Sequence, residues 1–303
     1  MITVLIIALI LLLIGALLIG ASLALLQKNP MKENNAKGAV YTYGMDCLPK
    51  EIQITTMSSR AEIRSTTGDE WRVECEESET LYHTVDVVDG VLTVKQVGDK
   101  QKWYEYISVF NGFQGPGVIV YLPAGVYNSL NIQSVSGSIK VEEGFTFESA
   151  NLASTSSSIY CASHIAGDLN VKNTSGSITV IGGTDGNLTV VGTSGGIEIK
   201  NATPTTVDIK NTSGAIDLVN VVCSGACKIE NGSSAIELKE CDAANFDLKT
   251  ISGGIRASIL SGKTFDCHST SGGVHVPQNC GEGTFRARTT SGGIRVEMVT
   301  SAQ

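Results

Sequence analysis

Thr193-Ser194-Gly195-Gly196-Ile197-Glu198-Ile199-Lys200, followed at once down the chain by Thr212-Ser213-Gly214-Ala215-Ile216-Asp217-Leu218-Val219, sets the frame in which the other residues are read. The turn occurs nine times, opened by Ser136, Ser156, Ser175, Ser194, Ser213, Ser233, Ser252, Ser271 and Ser291. Successive serines stand 19 or 20 residues apart, a self-similarity at the period of a solenoid. A strand corner asks for a residue without a Cβ penalty, and glycine follows the serine in seven of the nine copies. The serine hydroxyl is expected to bond neighbouring backbone, or the serine one rung away, at a buried corner.

Apolar residues recur at four places in every copy: nine and seven positions before the Ile that closes the turn, at that Ile (Val274 in one copy), and two positions after it. In the Ser194 copy these are Leu188, Val190, Ile197 and Ile199; in the Ser252 copy, Phe246, Leu248, Ile255 and Ala257. Residues two apart share one face of a strand, so each rung has two short strands and two turns. Like columns stack if successive copies lie parallel and in register at about 4.8 Å per rung. Each inward side chain contributes on the order of 1.5–3 kcal/mol on burial, which offsets the ordering of a rung only when neighbours are present.

These observations predict an all-β chain: a parallel β-solenoid of 19–20-residue rungs with an atypical N-terminal β section, preceded by one transmembrane helix. Residues 1–27 form the anchor, 28–39 a juxtamembrane linker, 40–127 the atypical first rungs and cap, and 128–303 nine regular repeats. Residues 2–26 carry no charge, enough for a tilted span of the lipid bilayer. No Lys or Arg precedes Lys28, so an uncleaved anchor fits better than a signal peptide. Lys28, Lys32 and Lys37 all follow the span, which places the body in the cytoplasm by the positive-inside rule. Ser58-Ser59-Arg60-Ala61-Glu62-Ile63 aligns with Ser233-Ser234-Ala235-Ile236-Glu237-Leu238 as a degraded repeat. Beyond it, Asp89-Gly90 predicts a two-residue hairpin, and Pro123 stops the strand Val118 to Leu122. Trp71, Trp103, Tyr104 and Tyr106 read as packing for a cap over the first rung.

A formal charge of −8 argues against nucleic acid as a partner. The eight cysteines include no C-x-x-C, and the four histidines form no ligand spacing with them, so no metal or other cofactor is expected. Cys161, Cys227 and Cys267 occupy inward columns, while Cys223 and Cys241 fall in return turns of adjacent rungs, where a disulfide stays open. Gly192-Thr193-Ser194-Gly195-Gly196 matches the nucleophile elbow, but Ser194 is one of nine equivalent serines and no His column accompanies it. Glu198, Asp217 and Glu237 stand on three consecutive rungs, about 5 Å apart. That ladder suits a cation, a ligand or a polysaccharide-cleaving site; with Lys200 and Lys239 beside it, it reads better as a solvated strand face with partly compensating charges. Arg256, Arg286, Arg288 and Arg295, with His268 and His275, make the last rungs basic. No carboxyl-terminal cap follows Val296, Met298 and Val299, so the last rung is expected to be exposed and open to end-to-end homodimerisation. Asn173, Asn187, Asn201, Asn211 and Asn231 open glycosylation sequons, three of them by-products of the repeat.

The turns Thr193 to Ile197 and Thr290 to Ile294, with the strand end Tyr121-Leu122-Pro123, resemble the bacterial β-strand-repeat proteins grouped as domain of unknown function 4097 and also called "putative adhesins". The resemblance spans roughly residues 40 to 300 and carries no catalytic residues across. It implies a parallel β-solenoid tethered to the bacterial membrane and acting at the envelope, against the cytoplasmic lean of the flanking lysines. Two function classes follow. One is a non-enzymatic, membrane-anchored adhesin-like or scaffold module with a protein or polysaccharide partner in the envelope. The other is a carbohydrate-active β-helix enzyme, a lyase or hydrolase, using Glu198, Asp217 and Glu237.

Overall fold

The computed structural model describes residues 39–43, 47–77, 81–98 and 117–299. No helix among them is long and apolar enough to cross a membrane; the expected span, nearly all of the expected linker, and Trp103, Tyr104 and Tyr106 lie outside them. The described residues form two sheets of 13 strands each, and every regular rung gives one strand to each sheet.

The columns stack as the alternation requires. On one sheet Leu169, Leu188, Val207, Cys227 and Phe246 are neighbours in register. On the other, Ile159, Ile178, Ile197, Ile216, Ile236 and Ile255 are. Between the sheets lies one continuous apolar core, and in it the four columns of every rung but the terminal one are at most 5% exposed. A further inward position appears beyond the last column: Ala202, Val221 and Cys241 are buried at the ends of their strands. The residue before each, Asn201, Asn220 or Glu240, has a φ of 53–54°, and this left-handed step reverses the strand's alternation so that the next side chain turns inward. Cys241 therefore belongs to the core rather than to a return turn.

Stacking follows chain order from the Ser136 rung to the Ser252 rung and then departs from it. The strand Thr284–Ser291 pairs directly with Asn245–Ser252, and Thr264–Ser271 pairs with the far side of Thr284–Ser291. The second sheet repeats the exchange, Ile294–Met298 lying between Ile255–Ile259 and Val274–His275. The exposed terminal rung is thus the Ser271 copy, and the Ser291 copy, expected at the end, is interior. The cause lies in the links. After Ile259 the chain steps past one rung position, and after His275 a loop drops back to fill it. The two links cross at glycines: a Cβ on Gly262 would stand 1.7 Å from the Cys280 carbonyl oxygen, and one on Gly281 2.3 Å from that of Gly262. Gly281 and Gly283 also carry positive φ, 120° and 86°.

The amino-terminal end shows a similar departure. The Ser58 rung packs on the Ser136 rung, with Ile52 beside Leu130 and Ala61 beside Ile139. Outside it lie Val91–Gly98 and Gly117–Leu122, both parallel. Leu81–Val88 and Arg72–Glu77 then add antiparallel strands, and Ala39–Tyr43 ends the second sheet. The hairpin turns at Asp89 and Gly90 with φ of 52° and 78°, as a two-residue primed turn requires.

Candidate functional site

The nine turn serines stand exposed at the corner, and their hydroxyls do not satisfy it. The residue two positions earlier does. Asn211 Nδ2 donates to the carbonyls of Gly195, Ser213 and Gly214, and Asn231 Nδ2 to those of Gly214, Ser234 and Ala235. Asn173 holds Ser157 O and Gly176 O, while Thr250 and Thr289 donate hydroxyls to Ser234 O and Gly253 O. This column continues the inward alternation, yet it is polar, because the corner leaves carbonyls that only a donor can meet. The glycine after the serine answers a different need: a Cβ on Gly195 would lie 2.2 Å from the Gly176 carbonyl oxygen of the rung below. Three of the sequon asparagines, Asn173, Asn211 and Asn231, are therefore interior, whereas Asn187 and Asn201 are exposed.

Glu198, Asp217 and Glu237 do fall in register on three neighbouring strands. Each glutamate is paired along its own strand, Glu198 with Lys200 at 2.7 Å and Glu237 with Lys239 at 3.4 Å. Partial burial raises the Asp217 carboxyl, and the Glu237 charge adds to it. No cluster of three or more His, Cys, Asp or Glu suited to a metal occurs among the described residues. The geometry is that of a strand face with its charges largely compensated, continuing at Arg256.

Ser194 has no histidine in its rung, but a Ser–His–carboxylate chain occurs in the irregular amino-terminal section. Ser59 Oγ lies 3.1 Å from His83 Nε2, and His83 Nδ1 lies 3.6 Å from Glu77 Oε1. Beside it the backbone N–H groups of Met57, Ser58 and Ser59 all donate to Gln96 Oε1, at 2.8, 3.0 and 3.0 Å. Ser59 is wholly buried, and the Gln96 amide fills the three-donor nest where an oxyanion would sit. The arrangement fastens the outer hairpin to the first corner; burial holds the His83 imidazole below its usual range, opposed by Glu77. Its signal in sequence is faint, since the partners are 6 to 39 residues apart and belong to the irregular section.

The eight cysteines are free. Burial raises the thiols of Cys161 and Cys241 to about 11. Cys223 and Cys227 are interior neighbours, and Cys267 is only half-buried because its rung is terminal.

Among the described residues, a shallow open groove runs along the outer face of the sheet that holds the Asn column. This groove, about 710 Å³, crosses rungs from Val191 to Thr290. Lys210, Glu230, Lys249, Arg288 and His268 line one side, and Thr193, Thr212, Thr290 and Thr270 the other, with the exposed Ile251. Glu230 is held below the usual carboxylate range by Lys228 at 3.1 Å, and Arg288 grips both carboxylate oxygens of Asp266 at 2.7 Å. Lys249 is shared between Asp247 at 3.5 Å and Glu230 at 4.0 Å, so most of the charge along the groove is paired, and threonine hydroxyls and Lys210 face it beside those pairs.

A family model described as Toastrack DUF4097 matches residues 49–239 and 225–303. No curated protein matches the chain significantly. Among solved structures, a "putative adhesin" from Bacteroides fragilis is similar at 14% identity over 86% of this chain and 97% of its own, with a TM-score of 0.40. A second "putative adhesin", from Parabacteroides merdae, is similar at 12% identity over 87% and 97%, TM-score 0.37. A "putative lipid binding protein" from Parabacteroides distasonis is similar at 11% identity over 86% and 98%, TM-score 0.26.

Proposed function

The chain belongs to the Toastrack DUF4097 family, and from that premise we propose that it is a non-enzymatic, adhesin-like binding module, anchored in the membrane through residues 2–26 and working at the bacterial cell envelope. The observation that carries this reading is the groove: it spans several rungs, is held on rigid strands, and offers the hydroxyls of Thr193, Thr212, Thr290 and Thr270 beside Lys210 and Lys249, with Gly232 and Ile251 between them. A ladder repeating at about 4.8 Å meets an extended, repeating, anionic polymer better than it meets a compact substrate. An acidic polysaccharide of the envelope is the class of partner that such a surface fits.

Two measurements test the reading. The full chain in liposomes is titrated with acidic and neutral polysaccharides, and binding to the acidic ones is expected to weaken at least about tenfold in a Lys210→Glu/Lys249→Glu variant and with rising salt. Equal affinity for neutral polymers, or cleavage of the polymer by the unaltered protein, would overturn it. Protease added to intact cells is expected to degrade the solenoid; protection of the solenoid would place it inside and remove the adhesin role.

A further inference from the structure

The terminal rung leaves one strand edge open. Among the described residues, Thr264–Ser271 pairs only with Thr284–Ser291 and ends its sheet. In the other sheet the matching strand is two residues, Val274–His275, closely followed by Pro277, which blunts that edge. The eight-residue edge is not blunted. Thr264 donates its N–H to Gly283 on the covered side, so the N–H and C=O of Phe265, Cys267 and Ser269 point the other way. Only the Phe265 N–H is met there, by Asn279 Oδ1. The core columns also stop at this rung: Val274 is 38% and Val276 37% exposed, where the same columns elsewhere are buried, and Phe265 and Cys267 are half-buried.

The inward and outward alternation of this strand is the same in both directions from Cys267, with Phe265 mirrored by Ser269. Outward stand Thr264, Asp266, His268 and Thr270; inward stand Phe265, Cys267 and Ser269. An antiparallel second copy centred on Cys267 sets Thr264 opposite Thr270, Asp266 opposite His268, and Cys267 opposite itself. A two-fold axis through the strand's midpoint serves both sheets at once, since it also brings Val274 and Val276 of the two copies to the same junction. We propose that this edge is a self-association surface, and that two copies of the chain join end to end by antiparallel pairing of Thr264–Ser271. Pairing closes the open backbone groups of Cys267 and, as Asn279 yields the Phe265 N–H, those of Ser269; it covers the exposed ends of the core columns and twice places an imidazole beside Asp266, which Arg288 also holds.

The pairing is tested on the full chain in detergent, with the exposed Cys47 and Cys280 replaced by Ser. Facing Cys267 residues lie about 5.5 Å apart, within bridging range. Copper(II)-phenanthroline takes two electrons from the two thiols, which lose their protons as the S–S bond forms, and dioxygen reoxidises the copper. The expected result is a dimer by native mass and a reducible crosslinked dimer on oxidation. Cys267→Ser keeps the dimer mass and loses the crosslink. His268→Asp sets like charges together across the two-fold axis, yet within one copy faces Arg288, so it leaves the fold intact; dissociation is expected to strengthen about tenfold. A monomer at every concentration, or a His268→Asp variant that dimerises as well as its parent, overturns the proposal. A ladder of trimers and higher species means head-to-tail stacking and also overturns it.

Discussion

Asn211, itself buried, holds three backbone carbonyls with one amide group. Replacing it with Ala removes these bonds, but the Gly214 carbonyl keeps Asn231 and the Ser213 carbonyl keeps the Gly195 N–H, so the cost is expected to be about 0.5–1.5 kcal/mol. Ser213→Ala, one turn position away but exposed, is expected to stay within about 0.5 kcal/mol. Thermal unfolding of the two variants distinguishes them; equal shifts would return the corner to the serines. The alternation of the strand implies that Asn211 faces inward, but its polarity sets it apart from the apolar columns that mark the core, so its part in the corner is hidden in the sequence. At His83 burial lowers the imidazole pKa, so the unfolded chain takes up the proton first as pH falls. The stability this contributes is whole above the ordinary histidine value of about 6.5 and is lost as pH drops from there toward the lower folded value. Both Ser59 and Glu77 face the ring, and Glu77 moderates the loss. His83→Gln is expected to flatten the change in unfolding midpoint between about pH 7.5 and pH 5; an unchanged slope would show that another group sets it.

The link between strands, more than the strands, decides which rung is last. Four apolar columns predicted every regular strand, because period-2 alternation is a property of each strand alone. Their order was not legible, since the Ser252, Ser271 and Ser291 copies carry Phe246, Phe265 and Phe285 at the same position and any of them stacks on any other. What distinguishes them is the crossing at Gly262, Gly281 and Gly283, three glycines that read in sequence as ordinary turn residues. The inward step at Ala202, Val221 and Cys241 was hidden in the same way, although asparagine at Asn201 and Asn220 is the side chain best suited to a left-handed φ. Gly262→Val is expected to destabilise the terminal rung by on the order of 3 kcal/mol, because its side chain meets the Cys280 carbonyl rather than a movable atom. Hydrogen exchange reads this out: amides of 264–271 lose protection while those of 187–213 keep theirs. Uniform loss along the whole solenoid would mean that the rungs unfold as one unit.

At the scale of the whole molecule the two ends share a device in which the chain lays down an outer layer and separately fills the position beneath it. A strand that is last or nearly first in sequence is then held on both sides, and at each end the outermost strands belong to chain from elsewhere in the sequence order. One-dimensional stacking would let a solenoid fray from its final repeat; here the Ser291 rung cannot leave before the Ser271 rung does. The rung order makes a direct prediction. Asp247 lies beside Arg286, and Asp266 is on the far side of Arg286. Cysteines at 247 and 286 are therefore about 4.8 Å apart between neighbouring strands, whereas cysteines at 247 and 266 are about 9.6 Å apart across a rung. Only the first pair is within the span of a disulfide. In a chain with Cys47 and Cys280 replaced by Ser, the 247/286 pair is expected to oxidise readily and, by closing a loop of about 40 residues, to stabilise by up to about 4 kcal/mol. The 247/266 pair should stay reduced under the same conditions. The opposite outcome would mean that the copies stack in chain order, that the Ser291 rung is terminal, and that the edge at Thr264–Ser271 is not open at all.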